Sequence, residues 1–236
     1  MAATPQRYRT LSVMSLMHTV HVPAGDGPYP TVVVLHGWGA NAHDLLGLAP
    51  RLMRGNALVL SPQGEFAVEI APGIGPLFDD FAEFGWFDLG GGREPDADEV
   101  REAGDSLRCF LDECIERYPV DPEQIALLGF SQGGVMAFEL ALREPERYAA
   151  LIGLSTFLPD VVLASAVAGD ALSGLPTLLM HGTEDAQVDI AAAHAARDDL
   201  SALGVTVEYR EYAMGHEIRP EALDDLDEWL STNVFR

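Results

Sequence analysis

A serine with glycines two positions away on each side, Gly129-Phe130-Ser131-Gln132-Gly133, is the stretch of this chain best suited to covalent chemistry. The apolar run Ile125 to Leu128 before it reads as a buried strand, and Val135 to Arg143 after it as a helix. A strand-to-helix turn of this pattern is so sharp that its central residue is strained and its flanks must be small, which leaves the serine hydroxyl presented at the turn. The following helix aims its first N–H groups at the serine and favours negative charge developing beside it. A hydroxyl placed in this way attacks a carbonyl once a base takes its proton and a carboxylate orients the base. Glycine-rich loops also serve as plain turns, but a strand before and a helix after favour the nucleophile.

The partners of such a serine follow it in the order carboxylate, then histidine. Leu175 to Met180 reads as another buried strand running into His181-Gly182-Thr183-Glu184-Asp185-Ala186-Gln187-Val188. A carboxylate in a loop past a strand's C-terminal end lies at the edge where ligands gather in open α/β sheets, and Asp185 is the choice. Glu184 and Asp189 compete, and read more simply as charge at the N-terminus of a helix beginning near Ile190. The base comes after the last strand, Val205 to Arg210, which alternates apolar and polar residues. There His216 follows Gly215 in a loop ahead of a final helix, about Pro220 to Leu230. Among the seven histidines, His18 and His21 lie in an N-terminal strand, and His43 and His194 in or beside predicted helices. His36 and His181 follow buried strands but precede glycines, which suits turns or a supporting role. The oxyanion of the tetrahedral intermediate needs two N–H donors, one from the residue after the nucleophile and one from an earlier strand–loop junction. Thr31 to Leu35, with four β-branched residues in five, ends in His36-Gly37-Trp38-Gly39. The expected donors are therefore the main-chain N–H groups of Gln132 and Trp38.

The elements that position these residues alternate strand and helix, which predicts an α/β domain with a mostly parallel central sheet and helices on both faces. The chain, residues 1–236, reads as a single domain without linker, repeat or low-complexity tract. Residues 64–92 follow the strand Ala57 to Leu60 and are too long for an ordinary connection, so they form a candidate substrate or lid loop. Phe78, Phe84, Trp86 and Phe87 within it are the candidate substrate-binding residues, with part of the loop's apolar content expected to pack on the sheet. Cys109 and Cys114 lie on one predicted helix, Asp98 to Tyr118, whose apolar stripe includes Cys114 but not Cys109. Their thiols point to different faces, which excludes a disulfide between them and suits a reducing, cytoplasmic setting.

Five segments carry a resemblance. They are His36-Gly37-Trp38-Gly39-Ala40-Asn41 with Asp44-Leu45; Trp86-Phe87-Asp88; Val120-Asp121-Pro122 leading through Ile125 to Gly129-Phe130-Ser131-Gln132-Gly133-Gly134; His181-Gly182 with Asp185 and Val188; and Gly215-His216-Glu217. In these the chain resembles the carboxylesterase, phospholipase and acyl-protein thioesterase family of small α/β-hydrolases, over most of residues 12 to 231. The resemblance implies an α/β-hydrolase fold with Ser131, Asp185 and His216 as nucleophile, acid and base. Trp38 departs from the smaller apolar residue that many relatives carry after His-Gly, and its indole is expected to narrow the pocket mouth.

The resulting expectation is a serine hydrolase cleaving carboxyl esters of short to medium acyl chains through an acyl-enzyme. Its alternatives are an acyl-protein thioesterase or lysophospholipase and, from another class, a non-catalytic ligand-binding protein of the same fold. A lactonase of the dienelactone-hydrolase kind fits less well, since such enzymes tend to carry cysteine at the nucleophile turn. A small-molecule ester or thioester is the expected partner, and a homodimer is left open. No cofactor is expected, and no His/Cys cluster has metal-ligand spacing. The chain has 37 acidic residues against 14 arginines, no lysine, and a net charge of −23. That balance excludes attraction to nucleic acid and argues against stable docking on anionic membranes. The N-terminus shows no signal-peptide pattern, and no apolar run reaches the ~18 residues of a membrane span. Two origins of the acidity stay open: GC-rich codon usage, which replaces lysine with arginine and lowers asparagine, and adaptation of the surface to salt.

Overall fold

The computed structural model describes residues 15–68, 83–89, 94–167 and 170–235. The first strands are β1 (His18–His21), β2 (Tyr29–Leu35) and β3 (Leu58–Pro62), followed by the short β4 (Phe66–Ala67) and β5 (Phe84–Gly85). Helix α1 (Ala97–Arg117), strand β6 (Val120–Phe130), helix α2 (Gln132–Arg143), strand β7 (Ala150–Leu154) and the short helix α3 (Asp160–Leu163) come next. The chain continues through β8 (Thr177–Gly182), α4 (Ile190–Ala202), β9 (Val207–Tyr212) and α5 (Pro220–Asn233).

Seven strands form one sheet in the order β1-β3-β2-β6-β7-β8-β9, parallel except for the β1–β3 pair. Parallel strands buried on both faces read as continuous apolar runs, and residues 32–35 of β2, 125–128 of β6 and 178–180 of β8 do so. Alternate residues serve opposite faces. Val33, Leu35, Ile125, Leu127 and Leu179 pack with α1, α2 and α4. Val32, Val34, Ala126, Leu128 and Leu178 pack with α5 through Leu223, Leu226 and Trp229. Helices therefore cover both faces, as the strand–helix alternation predicts.

Local chemistry sets the ends of these elements. Asp96 caps α1 by accepting from the N–H groups of Asp98 and Glu99, worth about 1 kcal/mol. On α1 Cys114 is buried and Cys109 exposed, and both are free; burial pushes the Cys114 thiol up to about 12. Beyond β2 the helical setting expected around His43 is reduced to two 3-10 turns, Leu46–Leu48 and Leu52–Gly55. Pro50 lacks an N–H and Gly47 and Gly55 lower helix propensity, so a longer α-helix does not propagate there.

The ends of the 64–92 segment meet in a small antiparallel ribbon, with Phe66 opposite Gly85 and Ala67 opposite Phe84. A bridge from Ala40 to Phe84 ties that ribbon to the loop after β2. Residues 69–82 and 90–93, and with them the expected substrate contact Phe78, lie outside the described residues. Among the described residues no helix is long and apolar enough to cross a membrane.

Candidate active site

Ser131 stands between β6 and α2 with φ 54° and ψ −121°. A non-glycine residue in that region costs about 1–3 kcal/mol and persists only where its surroundings enforce it. Here the enforcement is close backbone packing. A Cβ on Gly133 would lie 2.0 Å from the Leu35 carbonyl oxygen, and one on Gly129 would lie 2.2 Å from that of Gly133. The turn is further pinned by Ser131 N–H donating to Leu154 O at 2.9 Å and by the Thr156 hydroxyl donating to Ser131 O at 2.7 Å.

Asp185 and His216 come together at the C-terminal ends of β8 and β9. His216 Nδ1 donates to Asp185 Oδ2 at 2.8 Å, and the carboxylate side chain is fully buried. The other oxygen, Oδ1, accepts from the main-chain N–H groups of Gln187 and Val188, both at 2.9 Å. Burial works against the charge, but the bonds from Val188, His216 and Gln187 outweigh it and hold the carboxyl below its ordinary value. Of the competing carboxylates, Asp189 caps α4 through Ala191 N–H. The His216 ring packs on Phe130, centroids 4.8 Å apart. With Nδ1–H committed to Asp185, Nε2 is left as the acceptor.

His181, read from the sequence as a turn or supporting residue, is buried beneath this loop. Its Nε2–H donates to Val188 O at 2.9 Å and lies 3.6 Å from Asp185 Oδ2. It thus holds the carbonyl of Val188, the residue whose own N–H binds the carboxylate.

Two cavities flank Ser131. One of about 310 Å³ is lined by His36, Gly37, Trp38, Ser131 and His216 among others, so serine and histidine share a wall. The second, about 520 Å³, is lined by Trp38, Leu89, Phe157, Leu158, Val188 and the carboxylates Glu94 and Asp160. Trp38, Ser131 and Gln187 border both. A Cβ on Gly37 would sit 3.2 Å from Ser131 Cβ, so the loop after β2 lies directly against the serine.

Three of the expected substrate contacts fall within the described residues. Trp86 and Phe87 are buried, at 5 % and 1 % exposure, and the half-buried Phe84 pairs through its backbone with Ala67. None of the three lines either cavity at Ser131. The reason is a demand for polar partners: the Trp86 indole stacks on His36 and donates to the His36 carbonyl at 2.8 Å, which draws the segment inward. Phe87 follows it into the core with Val100 and Leu107 of α1. The sequence did not single out the apolar lining of the larger cavity, Phe157 and Leu158 after β7 and Val188, Ala192 and Ala195 before and within α4. These positions carry no periodicity or motif that singles them out. Among the described residues no group of three or more His, Cys, Asp or Glu side chains is arranged to hold a metal.

Comparison with known proteins agrees with this architecture. The family described as Phospholipase/Carboxylesterase matches residues 17–234. Acyl-protein thioesterase 1 of Gibberella zeae is 29 % identical over 225 residues, covering 88 % of this chain and 92 % of that protein. Carboxylesterase SOBER1 of Arabidopsis thaliana is 28 % identical over 155 residues, covering 63 % and 68 %. Among solved structures, a carboxylesterase from Mesorhizobium loti superposes with a TM-score of 0.77 at 21 % identity, covering 94 % of this chain and 97 % of that one. Zea mays acyl-protein thioesterase 2 gives a TM-score of 0.72 at 24 % identity, covering 92 % and 99 %. The chain belongs to the phospholipase/carboxylesterase family, and is a carboxylic-ester hydrolase of the α/β-hydrolase fold.

Proposed function

We propose that Ser131 attacks the carbonyl of a carboxyl ester of short to medium acyl chain, with His216 as base and Asp185 fixing the imidazole tautomer. His216 Nε2 takes the serine proton, the oxyanion is held by the main-chain N–H groups of Trp38 and Gln132, and the protonated imidazole releases the alcohol. Water, deprotonated by the same imidazole, then frees the acyl group. The observation that carries this reading is the 2.8 Å hydrogen bond from His216 to a buried Asp185, with His216 sharing a cavity wall with the strained Ser131.

The substrate reading rests on the walls around the serine. Trp38 borders both cavities and limits the space at the nucleophile, while Leu89, Phe157, Leu158 and Val188 offer apolar contact. Glu94 and Asp160 on the same wall repel anionic acyl or alcohol portions. A second reading, a thioesterase acting on longer acyl chains or a lysophospholipase, draws on the relatives named acyl-protein thioesterase. Two free cysteines suit action in a reducing compartment such as the cytoplasm.

Fluorophosphonate labelling and a p-nitrophenyl ester series beside palmitoyl thioesters test the proposal. Wild type should label, Ser131→Ala should not, and Ser131→Ala and His216→Ala should each lose several orders of magnitude in turnover. Persistent labelling of Ser131→Ala would overturn the nucleophile assignment. Each buried CH₂ is worth about 0.8 kcal/mol, so kcat/KM rising through twelve or more carbons would favour the second reading. A wild type inert toward every simple ester would point to a binding protein.

A further inference from the structure

The two proposed oxyanion donors sit at the ends of neighbouring strands, and the sheet stops holding them together just before they are reached. The β2–β6 ladder ends at Leu35 opposite Gly129. His36-Gly37-Trp38 and Ser131-Gln132 lie beyond the last residues that this ladder pairs. Their separation must nonetheless stay fixed, because a misplacement of about 1 Å costs on the order of 10²-fold in rate.

One buried segment spans the gap. Trp86 donates its indole Nε1–H to His36 O at 2.8 Å and its main-chain N–H to the Gln132 side-chain Oε1 at 2.9 Å. Gln132 Nε2 donates in turn to Phe87 O at 2.8 Å, so both ends of this fully buried amide are taken by the same dipeptide. Immediately upstream, Gly39 N–H donates to Phe84 O and Phe84 N–H to Ala40 O, both at 2.9 Å. A Cβ on Gly85 would lie 2.5 Å from the Trp38 ring and 3.0 Å from Gln132 Oε1, so the backbone there is pressed against both donor residues. The His36 ring adds a further tie. Its Nε2 accepts from Gly64 N–H at 3.0 Å, which leaves Nδ1–H to donate to Gly37 O at 2.8 Å. Burial lowers its pKa and keeps this tautomer neutral, although the bond to Gly37 O and the charge of Asp44 pull the other way.

We propose that residues 84–87 form a brace that sets the distance between the two oxyanion donors, with Trp86 and the Gln132 side chain as positioning residues for the ester-hydrolase reaction. This rests on the assignment of Trp38 and Gln132 as donors. The brace touches neither substrate nor the reacting atoms. It acts through the His36 carbonyl and the Gln132 side-chain amide, and its effect belongs to the transition state, when charge moves onto the carbonyl oxygen.

The decisive variant is Trp86→Phe, which keeps an aromatic ring on His36 and removes only the indole donor. kcat on a p-nitrophenyl ester should fall about ten- to a hundredfold with KM within about twofold, less than the roughly 10²–10³ expected for deleting a donor outright. Affinity for a tetrahedral mimic, an alkyl boronic acid or trifluoromethyl ketone, should fall by the same factor, while that for the carboxylate product stays unchanged. Gln132→Met cuts the brace from the other side and should give the same pattern, which carries the test if Trp86→Phe does not fold by circular dichroism. A purely structural role would instead lower the fraction of labelled enzyme or weaken all ligands alike, and that result overturns the brace. A folded variant with wild-type kcat beside an inert Ser131→Ala also overturns the brace and leaves the triad standing. Turnover surviving in Ser131→Ala overturns the underlying reading instead.

Discussion

Gly182 offers a way to move the proposed base without touching any reacting group. It ends β8 opposite Tyr212 of β9, and a Cβ there would lie 2.2 Å from Met214 O and 2.6 Å from Gly215 O. Both are main-chain atoms of the segment that delivers His216. Since ordinary contact begins near 3.4 Å, Gly182→Ala must push that segment away by about 1 Å, an overpacking that costs roughly 1–3 kcal/mol. The segment cannot swing freely, because Thr183 N–H is bonded to Tyr212 O at 2.8 Å and Glu184 N–H to Met214 O at 3.0 Å. A retreat of about 1 Å would stretch the 2.8 Å His216–Asp185 bond beyond hydrogen-bonding range. With about 10²-fold lost per 1 Å of misplacement, kcat should fall near a hundredfold. That is less than the ~10⁴ for a wrong tautomer, because Asp185 remains nearby. The assay pairs steady-state kcat on a p-nitrophenyl ester with the rate of fluorophosphonate labelling and a urea unfolding curve. Gly204→Ala is the control: its φ of 88° strains alanine, but nothing lies within 4 Å of the added atom. That variant should lose stability and keep its activity. Gly182→Ala retaining a third or more of wild-type kcat, while still folded, would refute the link from this contact to the base.

The sequence exposes what steric necessity writes into residue type. Gly129, Gly133 and Gly134 are legible around Ser131 because any Cβ there meets an atom within about 2.3 Å, at Gly134 the Thr156 hydroxyl. The parallel strands are legible because burial on both faces demands unbroken apolar runs. Asp185 could be preferred to Asp189 because a carboxylate just before a helix already has a use, and Asp189 indeed caps α4. The segment around Trp86 was not legible in the same way. Aromatic residues in a long loop give one composition whether they line a pocket or pack inward. What decides for Trp86 is whether its indole N–H finds a partner, and that partner is the carbonyl of His36, fifty positions away in the chain. The Gln132 side chain was hidden for a related reason. Its main-chain N–H drew attention because it follows the serine, whereas the side-chain amide acts only in tertiary contact with Trp86 and Phe87. The 3-10 turns after β2 show the opposite limit, where apolar residues near His43 suggest a helix and Gly47, Pro50 and Gly55 interrupt it.

Two further predictions concern charge. Asp185→Asn should lower kcat by about 10⁴, since the amide can present its N–H and favour the wrong imidazole tautomer. Because the native carboxyl is held below its ordinary value, its charge stabilises the fold above that value and the contribution fades as pH falls through the folded one. The stability gap between wild type and Asp185→Asn, read from urea curves, should therefore be widest near neutral pH and narrow below about pH 4; a gap that widens in acid would refute this. The last prediction addresses the net charge of −23. If the surface is adapted to salt, carboxylate repulsion is strongest at low ionic strength and is screened at 1 M, where the Debye length is about 3 Å. Repulsion worth only about 1 kcal/mol moves Tm by roughly 2–4 °C for a chain of this size. Thermal melts from 10 mM to 2 M sodium chloride should then show Tm rising by several degrees, with most of the change below about 0.5 M as screening saturates. Repeating the series in sodium sulfate separates screening from salting-out, because excluded anions keep raising Tm at molar concentration whereas screening does not. A Tm flat in chloride would mean that the carboxylates are spaced too widely to repel one another, and would leave codon usage as the source of the missing lysines.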